Sequence, residues 1–446
     1  MGDGGVLLGG QVCRHGPVMV ALPPDAPGGD IPSRGPLVAS APVADVRPFR
    51  ALRYTPAAGP LADLVAPPYD VISADEKRGL LARSAYNAVR LELPEIAYEE
   101  VAGLIAHWRD DEVLEAASAP CVVAWTQTFT LADGVPRERR TLLATVGLEP
   151  YEARVVRPHE RTHAGPKEDR LRLIRAVRTN ISPVFGLYPD AEGTAWAAAA
   201  VSGPPQAEAT DRDGTVHRFW VVDDPDALEA LTAAMADRWI LIADGHHRYE
   251  TALAYRDELH AAGEGPGAHD RVMMGLTALD DDGLVVLPTH RLLTRWPEGA
   301  ESAFASVDVP GLDDLTAALA AAPEDAPAFG LVRPGRIQLL TGTADASLSA
   351  AQQLDVAAIE REILVPHLGA DQAALAHDEA LSYTKDAAEA LALVESGAIA
   401  AALVLRGIPK SAVAAVAEAG ETMPQKSTYF FPKLLTGVAF HSLVDD

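Results

Sequence analysis

The sequence predicts a multidomain chain of the α/β (or α+β) class, and three observations lead to this prediction. The 446 residues are too many for one compact core, so two or three domains are expected. Short apolar runs such as "RWILIA" and "VMMGLTAL" are typical of buried strands. Segments with apolar residues at helical spacing, including 98–118 and 248–262, lie between such runs.

Changes in composition along the chain predict four regions. Residues 1–44 are rich in Gly, Pro and Ala without a sustained period, which indicates a flexible N-terminal extension outside the fold. We expect an N-terminal α/β region over 45–150, a core over 151–305, and a C-terminal α/β region over 306–446. In that last region, alanine-rich helices alternate with strands such as "IQLLTG" and "AALVLRG".

Two local patterns are specific enough to predict individual elements. The runs "CVVAWTQTFTL" and "RRTLLATVGLEP" flank "ADGVPRE", which has the turn chemistry of a hairpin, so we expect paired strands. In "RLRLIRAVRTN", Leu171, Ile174 and Val177 form one helical stripe. Its arginines, which lie largely off that stripe, are expected on a solvated face: Arg170, Arg172, Arg175 and Arg178.

Charge and cysteine content exclude several classes of protein. A formal net charge of −26 disfavours binding to phosphate backbones and to anionic lipid, so we expect neither nucleic acid nor membrane as a partner. Cys13 and Cys121 are the two cysteines, too few for a disulfide framework or an all-cysteine zinc site. Without an apolar run long enough to span a membrane, or a signal-peptide pattern, a cytoplasmic location is expected.

The stretch "LIADGHHRYETALAY", residues 241–255, marks a strand that turns into a helix. The first turn of a helix exposes N–H groups at the positive end of its dipole and is suited to anions. Gly245 permits close approach of the backbone, and His246, His247 and Arg248 add donors for phosphate oxygens. Two other interpretations stay open, a metal site and an ordinary turn capped by Asp244.

The segment "HERTH", residues 159–163, matches the H-E-x-x-H pattern of helix-borne zinc sites. The flanking residues argue against that interpretation, since Pro158 precedes the segment and "AGP" follows directly after His163. A polar loop is the simpler prediction. Near the C-terminus, Lys426-Ser427-Thr428 resembles the end of a phosphate loop, but Gln425 stands where that loop needs glycine. The surrounding "MPQKSTYFFPK" is instead predicted to form a constrained turn near the active site.

The order of these segments resembles the ParB/sulfiredoxin-like fold over about 155–300. The box "RPHERTH", the helix "RLRLIRAVRTN", the strand "ISPV" and the loop "DGHHR" follow one another as in that superfamily, and the loop looks most like that of its free-serine kinases. Motifs along 45–446 also resemble a family known as domain of unknown function number 1015. They are "PFRALRYTP", "LVAPPYDVIS", "NAVRLELP", "HERTHAGPKEDR", "ADGHHRYETA" and "MPQKSTYFFPK".

The kinase resemblance implies a ParB/sulfiredoxin-like nucleotide-binding core and an ATP-dependent kinase that phosphorylates a hydroxyl of a small molecule, with L-serine as the expected acceptor. It implies ATP or ADP with Mg²⁺ as cofactors, and a homodimer is a candidate assembly. The implied catalytic residues are Glu160 as the base, His246, and Asp244, which would orient a histidine or hold Mg²⁺. The remaining assignments are the phosphate-binding loop of Gly245, His246, His247 and Arg248, and the substrate-side residues His159, His163, His290 and Arg291.

Two other functions remain open at the level of sequence. A ParB-like switch would bind or hydrolyse a nucleotide and engage a partner, but the acidic charge and the absence of a helix-turn-helix pattern count against a DNA partner. A zinc hydrolase would use "HERTH" and should retain tightly bound zinc.

Overall fold

The structure is a computed structural model that describes residues 43–160 and 164–444, with backbone only at 164–166. Most of the segment predicted as an extension, residues 1–42, lies outside the described residues. Ala44, also assigned to the extension, is buried, and its N–H donates to the carbonyl of Arg238. The fold therefore includes the end of that segment.

The described strands, in chain order, are β1 Val46–Arg47, β2 Leu52–Tyr54, β3 Leu114–Ala116, β4 Val122–Thr130, β5 Pro136–Gly147, β6 Val156–Pro158, β7 Thr179–Asn180, β8 Val184–Tyr188, β9 Ala207–Thr210, β10 Val216–Val222, β11 Ile240–Asp244, β12 Arg271–Ala278, β13 Val285–Leu287, β14 His290–Leu293, β15 Ala305–Asp308, β16 Ala328–Arg333, β17 Arg336–Thr341, β18 Leu381–Thr384, β19 Ala401–Leu405, β20 Tyr429–Phe431 and β21 His441–Ser442.

The described α-helices are α1 Leu61–Leu64, α2 Ala74–Arg83, α3 Val89–Glu92, α4 Tyr98–Asp110, α5 Ala164–Val177, α6 Thr194–Ala198, α7 Pro225–Met235, α8 His246–Ala261, α9 Leu312–Ala321, α10 Asp355–Ile359, α11 Gln372–His377, α12 Ala387–Glu395 and α13 Lys410–Ala419. Short 3-10 turns occur at Pro56–Ala58, Tyr69–Val71, Tyr151–Ala153 and Ala268–Asp270, and a π-helical segment spans Glu360–Leu368. The predicted mixed α/β class is confirmed.

A nine-stranded mixed sheet forms the larger layer. Its order is β6-β11-β8-β12-β5-β4-β10-β9, and β1 pairs with β5. The predicted hairpin is confirmed, because β4 and β5 pair antiparallel from Val123 opposite Leu143 to Thr130 opposite Pro136. Since β4 and β5 precede residue 150 while β8, β11 and β12 follow it, the boundary predicted there runs through this sheet.

A six-stranded antiparallel sheet forms the second layer, in the order β15-β17-β16-β19-β14-β18. One continuous hydrophobic cluster connects the two sheets, with Phe185 and Leu241 from the first and Phe329 and Leu403 from the second. These side chains are at most 1% exposed. Side chains of the predicted core and C-terminal regions therefore pack in the same cluster.

Helix α5 differs from its prediction at two points. It begins at Ala164, so "AGP" opens a helix, which proline tolerates in the first turn. Leu171, Ile174 and Val177 are buried as expected, but Arg170 is also buried. The prediction of a solvated Arg170 was wrong, because this guanidinium contacts the buried Glu92 carboxylate at 3.7 Å and donates to the Glu92 carbonyl.

Candidate active site

The loop between β11 and α8 has the strand-turn-helix form that the sequence predicts. β11 ends at Asp244 and α8 begins at His246. Gly245 caps the helix with φ of 88°, a left-handed conformation that favours glycine. A Cβ atom added to Gly245 would lie 2.7 Å from Nε of Arg248, so space as well as backbone conformation selects glycine here.

Asp244 lies between two cations. Its Oδ1 is 3.2 Å from Nζ of Lys433, and its Oδ2 is 2.9 Å from a guanidinium nitrogen of Arg248. Burial alone would raise the pKa of Asp244, but Lys433 and Arg248 outweigh burial and hold this pKa below its ordinary value. Asp244 is therefore ionised at neutral pH and concentrates positive charge at the start of α8.

Arg248 is half-buried, although a side chain at the start of a helix would be expected to be solvent-exposed. In addition to its contact with Asp244, it donates to the carbonyl of Pro183, and its side chain is 11% exposed. Its Nε is buried and has no hydrogen-bond partner among the described residues. This guanidinium is consequently fixed in position while one donor remains unused.

His159 follows β6 and is 1% exposed. Its Nδ1 contacts the carbonyl of Ile242, which can only accept, so Nδ1 carries the proton. The other nitrogen, Nε2, then accepts from the hydroxyl of Thr428 at 2.8 Å. Burial lowers the pKa of His159 to about 4, so the ring is neutral at pH 7.

His246 stacks at an angle on His159, with ring centroids 4.8 Å apart. Its Nε2 accepts from the backbone N–H of His159 at 3.4 Å, which leaves Nδ1 as the donor of a neutral ring. Burial, then His159, lowers the pKa of His246 well below its ordinary value. His246 and His247 occupy the first turn of α8.

Glu160 lies beside these histidines. Its Oε1 accepts from the backbone N–H of Lys426 at 3.0 Å, and its Oε2 is 3.9 Å from Nε2 of His159. Burial raises the pKa of Glu160, partly offset by Lys426. A half-buried carboxylate with an increased affinity for protons, close to a cationic cluster, is suited to accept a proton.

The C-terminal segment 423–433 completes the site. The N–H of Met423 donates to the carbonyl of His159 at 2.7 Å, Thr428 contacts the same imidazole, and Lys433 pairs with Asp244. Sequence reasoning placed this segment near the active site but did not identify Lys433 or Thr428 as site residues. The density of Pro, polar and aromatic residues in "MPQKSTYFFPK" was the available signal.

His290 and Arg291 were expected in one cleft, and their surroundings differ. Nδ1 of His290 accepts from the N–H of Leu405, and His290 lines a cavity of about 1030 Å³ whose lining does not include Asp244, His159 or Glu160. Arg291 is fully buried and binds Gln372, and burial lowers its pKa to about 10 while the charge of Glu160 acts in the opposite direction. Of the two residues, Arg291 is therefore the one whose charge interacts with that of Glu160.

The helical zinc motif is not formed by the described part of "HERTH". His159 and Glu160 continue from β6, and Glu160 forms a parallel bridge with Met423. No group of three potential metal ligands among the described residues includes either side chain. His163 lies outside the described residues.

Comparison with models of protein families assigns the chain to a family. The family model described as protein of unknown function, DUF1015, matches residues 46–357. The chain therefore belongs to this family, as its motifs predicted. No curated protein sequence matches it.

Several solved structures are similar at low identity. A conserved hypothetical protein from Pyrococcus furiosus is 14% identical, with a TM-score of 0.35, 66% of this chain covered and 92% of that one. A free serine kinase in complex with AMP is 13% identical, with a TM-score of 0.37 and coverages of 67% and 91%. A free serine kinase mutant in complex with ADP has the same identity and TM-score, with coverages of 67% and 92%. At these TM-scores the ParB/sulfiredoxin-like core remains a prediction.

Within the described residues, no helix combines the length and the apolar character that crossing a membrane requires.

Proposed function

We propose that the chain is a nucleotide-dependent phosphotransferase that transfers a phosphoryl group from ATP or ADP to the hydroxyl of a small molecule, with L-serine as the favoured acceptor. One observation carries the proposal. The ion-pair cluster of Asp244, Lys433 and Arg248 lies at the start of α8, and the half-buried Glu160 lies beside His159, whose ring packs on His246 in the first turn of α8. Phosphoryl transfer requires charge neutralisation and alignment, which such a cluster can supply.

The first turn of α8 is the proposed phosphate site. Its N–H groups and dipole favour an anion, and Lys433 adds a cation that is only 14% exposed. Arg248 is held by Asp244 and Pro183 and retains the unpartnered Nε. We therefore assign Arg248 a positioning role, with Lys433 and the α8 amides closest to the phosphates.

Asp244 fits a role as the protein ligand of Mg²⁺. Mg²⁺ sites in phosphoryl-transfer enzymes commonly use one or two carboxylates together with phosphate and water oxygens. Asp244 is ionised, and its two oxygens contact Lys433 and Arg248, so Mg²⁺ would replace one of these contacts. When bound, Mg²⁺ neutralises charge on the transferred phosphoryl group.

Glu160 is the proposed general base. As the acceptor oxygen bonds to phosphorus, its proton passes to Glu160, and the bond to the leaving nucleotide, ADP or AMP, breaks. His159 directly precedes Glu160 in the chain, and its ring is held by Ile242 and Thr428. The N–H of Lys426 holds Oε1 of Glu160. The raised pKa of Glu160 strengthens it as a base.

A direct assay tests the proposal. The full chain is incubated with Mg²⁺, ATP or ADP and a panel of amino acids, and phosphorylated products are sought by mass spectrometry. O-phosphoserine is the expected product. If the nucleotide is hydrolysed without an acceptor, the site belongs to a nucleotide-dependent switch; if it is neither bound nor consumed, the proposal is wrong.

Replacement of the base gives the first prediction. Glu160→Gln preserves shape but cannot take the hydroxyl proton, so turnover should fall by about 10²–10⁴. Nucleotide affinity should change little, because the carboxylate faces the acceptor. Initial rates and nucleotide titrations measure the two quantities separately. Glu152→Gln is the control, since Glu152 is an exposed glutamate eight residues away in the sequence and should retain full activity.

The pH profile provides a second measure of the same variant. In the unmodified protein the acidic limb of kcat/KM should lie above the ordinary glutamate pKa of 4.5, because burial raises the pKa of Glu160. Equal turnover in Glu160→Gln and in the control would remove Glu160 from the mechanism.

A further inference from the structure

The C-terminal end of α8 carries a second cluster of ionisable side chains, separate from the proposed active site. His260 lies in the last turn of α8, and His269 and Asp270 lie in the 3-10 turn that follows. One potential ligand atom from each of the three residues lies within 4.8 Å of the other two. We propose that these residues form a binding site for a divalent transition-metal ion.

His269 supplies an independent reason to expect a ligand. His269 is 6% exposed, and its Nε2 is buried without a hydrogen-bond partner among the described residues. A buried polar atom without a partner is destabilising, and such atoms are uncommon in native proteins. A metal ion bound by this imidazole nitrogen supplies the missing partner.

Asp270 is oriented for the same purpose. Its Oδ1 lies 2.8 Å from Nε2 of His260, and its Oδ2 accepts from the N–H of Gly267 at 2.9 Å. The rings of His260 and His269 meet edge to face, with centroids 5.4 Å apart. The three groups are thus held together before a metal binds, which reduces the entropy lost on binding.

Charge and ligand type indicate the class of metal. The carbonyl end of a helix attracts cations, and His260 and Asp270 lie at that end. The neighbouring cation Arg271 is directed at the carboxylate of Asp45, away from the cluster. Two imidazoles and one carboxylate favour Zn²⁺ and other first-row transition metals over Mg²⁺ or Ca²⁺, and three protein ligands leave a position for water or a further ligand.

The site is distinct from the proposed nucleotide site. His246 and His260 are 14 positions apart on one helix, which corresponds to about 21 Å along the axis. A metal here would fasten the end of α8 to the start of β12. Its presence does not depend on the phosphotransferase proposal.

Zinc titration of the chelator-treated full chain tests this inference. We expect isothermal titration to show a Zn²⁺ site that His260→Ala weakens by at least tenfold. His260 has a side chain that is 43% exposed, so the fold should survive its loss. Zn²⁺ should also raise the melting temperature of the unmodified chain and not that of the variant, since a ligand of the folded state stabilises it.

Two further variants make the result specific. Asp270→Asn can keep an oxygen for the N–H of Gly267 while losing the carboxylate charge, and it should weaken Zn²⁺ binding in the same way. His107→Ala is the matched control, because His107 and Asp111 also form an exposed histidine–aspartate pair, 3.3 Å apart, in the last turn of a helix. Zinc affinity unchanged in His260→Ala and Asp270→Asn, or equally reduced in His107→Ala, would show that the cluster is an ion pair only. Failure of the kinase assay would leave this test unaffected.

Discussion

At the scale of single residues, Asp244 determines the character of the proposed site. It is an ionised carboxylate whose two oxygens each hold a cation from a different part of the chain, Arg248 from α8 and Lys433 from the C-terminal segment. A bound phosphate would compete with Asp244 for Arg248 and Lys433, which are already in place. The site is therefore preorganised, and little rearrangement is needed when an anion arrives.

Gly245 gives the second prediction. Gly245→Ala would place a Cβ in a left-handed conformation and 2.7 Å from Nε of Arg248, which cannot move without leaving Asp244 or Pro183. Gly263→Ala is the matched control, since Gly263 has φ of +91° but nothing within 4 Å of the added Cβ. The control should lose about 1–2 kcal/mol from backbone strain alone. Gly245→Ala should lose at least about 1 kcal/mol more, from the disturbed hydrogen bonds of Arg248.

Urea denaturation of the two variants and the unmodified chain measures both losses. Gly245→Ala should in addition weaken nucleotide binding, whereas Gly263→Ala should not. Equal destabilisation of the two variants would mean that Arg248 has no fixed position and that Gly245 serves only the turn.

The turn and the helix start in this loop could be predicted from the sequence, but the surroundings of its side chains could not. The pattern "DGHHR" predicts a turn at Gly245 followed by the start of a helix, because that inference needs only local chemistry. The position of Arg248 depends on the carbonyl of Pro183, 65 positions earlier, and the tautomer of His159 depends on its contacts with Ile242 and Thr428. Spacing within a motif contains no information about such partners.

At the scale of elements, the same division holds. The β4–β5 hairpin and the stripe on α5 were predictable, because each is encoded by the period of its own apolar residues. The contact between the C-terminal segment and the "HE" box was not. Met423 and His159 are separated by more than 260 positions, and the backbone bridge between them carries no side-chain signature.

The C-terminal segment gives the third prediction. Lys433→Met removes one of the two cations on Asp244 and should weaken nucleotide binding by at least tenfold, since a buried charged contact to phosphate is worth about 1.5–3 kcal/mol. Lys385→Met is the control. Both ammonium groups lie over the ring of Tyr429, at 4.4 Å for Lys433 and 5.3 Å for Lys385, but it is Lys433 that pairs with Asp244.

Nucleotide titration, monitored by calorimetry, compares these two variants. A loss confined to Lys433→Met assigns the phosphate contact to the cluster at Asp244. A similar loss in both variants would instead assign it to the aromatic surface around Tyr429.

At the scale of the whole molecule, the C-terminal segment connects regions that the sequence treats as separate. Beyond the proposed site, Thr436 exchanges backbone hydrogen bonds with Ala66, Phe440 does so with Leu52, and β21 pairs with β7. The sequence predicted domains in chain order, since composition changes along the chain. In the fold, Thr436 and Phe440 lie against Ala66 and Leu52, more than 300 positions earlier, which no local pattern could indicate.

This arrangement gives the last prediction. Removal of residues 421–446 should abolish cooperative folding, because it takes a set of buried apolar side chains out of the core: Met423, Phe430, Leu434, Leu435, Val438 and Phe440. At about 1.5–3 kcal/mol for each buried large side chain, the loss is comparable to the whole stability of a typical protein. Removal of residues 1–41, a longer stretch whose composition predicts an extension outside the fold, is the control and should leave the melting temperature of the remaining chain unchanged. Thermal melting followed by circular dichroism compares the two, and a C-terminal deletion that still melts cooperatively near the original temperature would mean that the segment attaches to a core that is already complete.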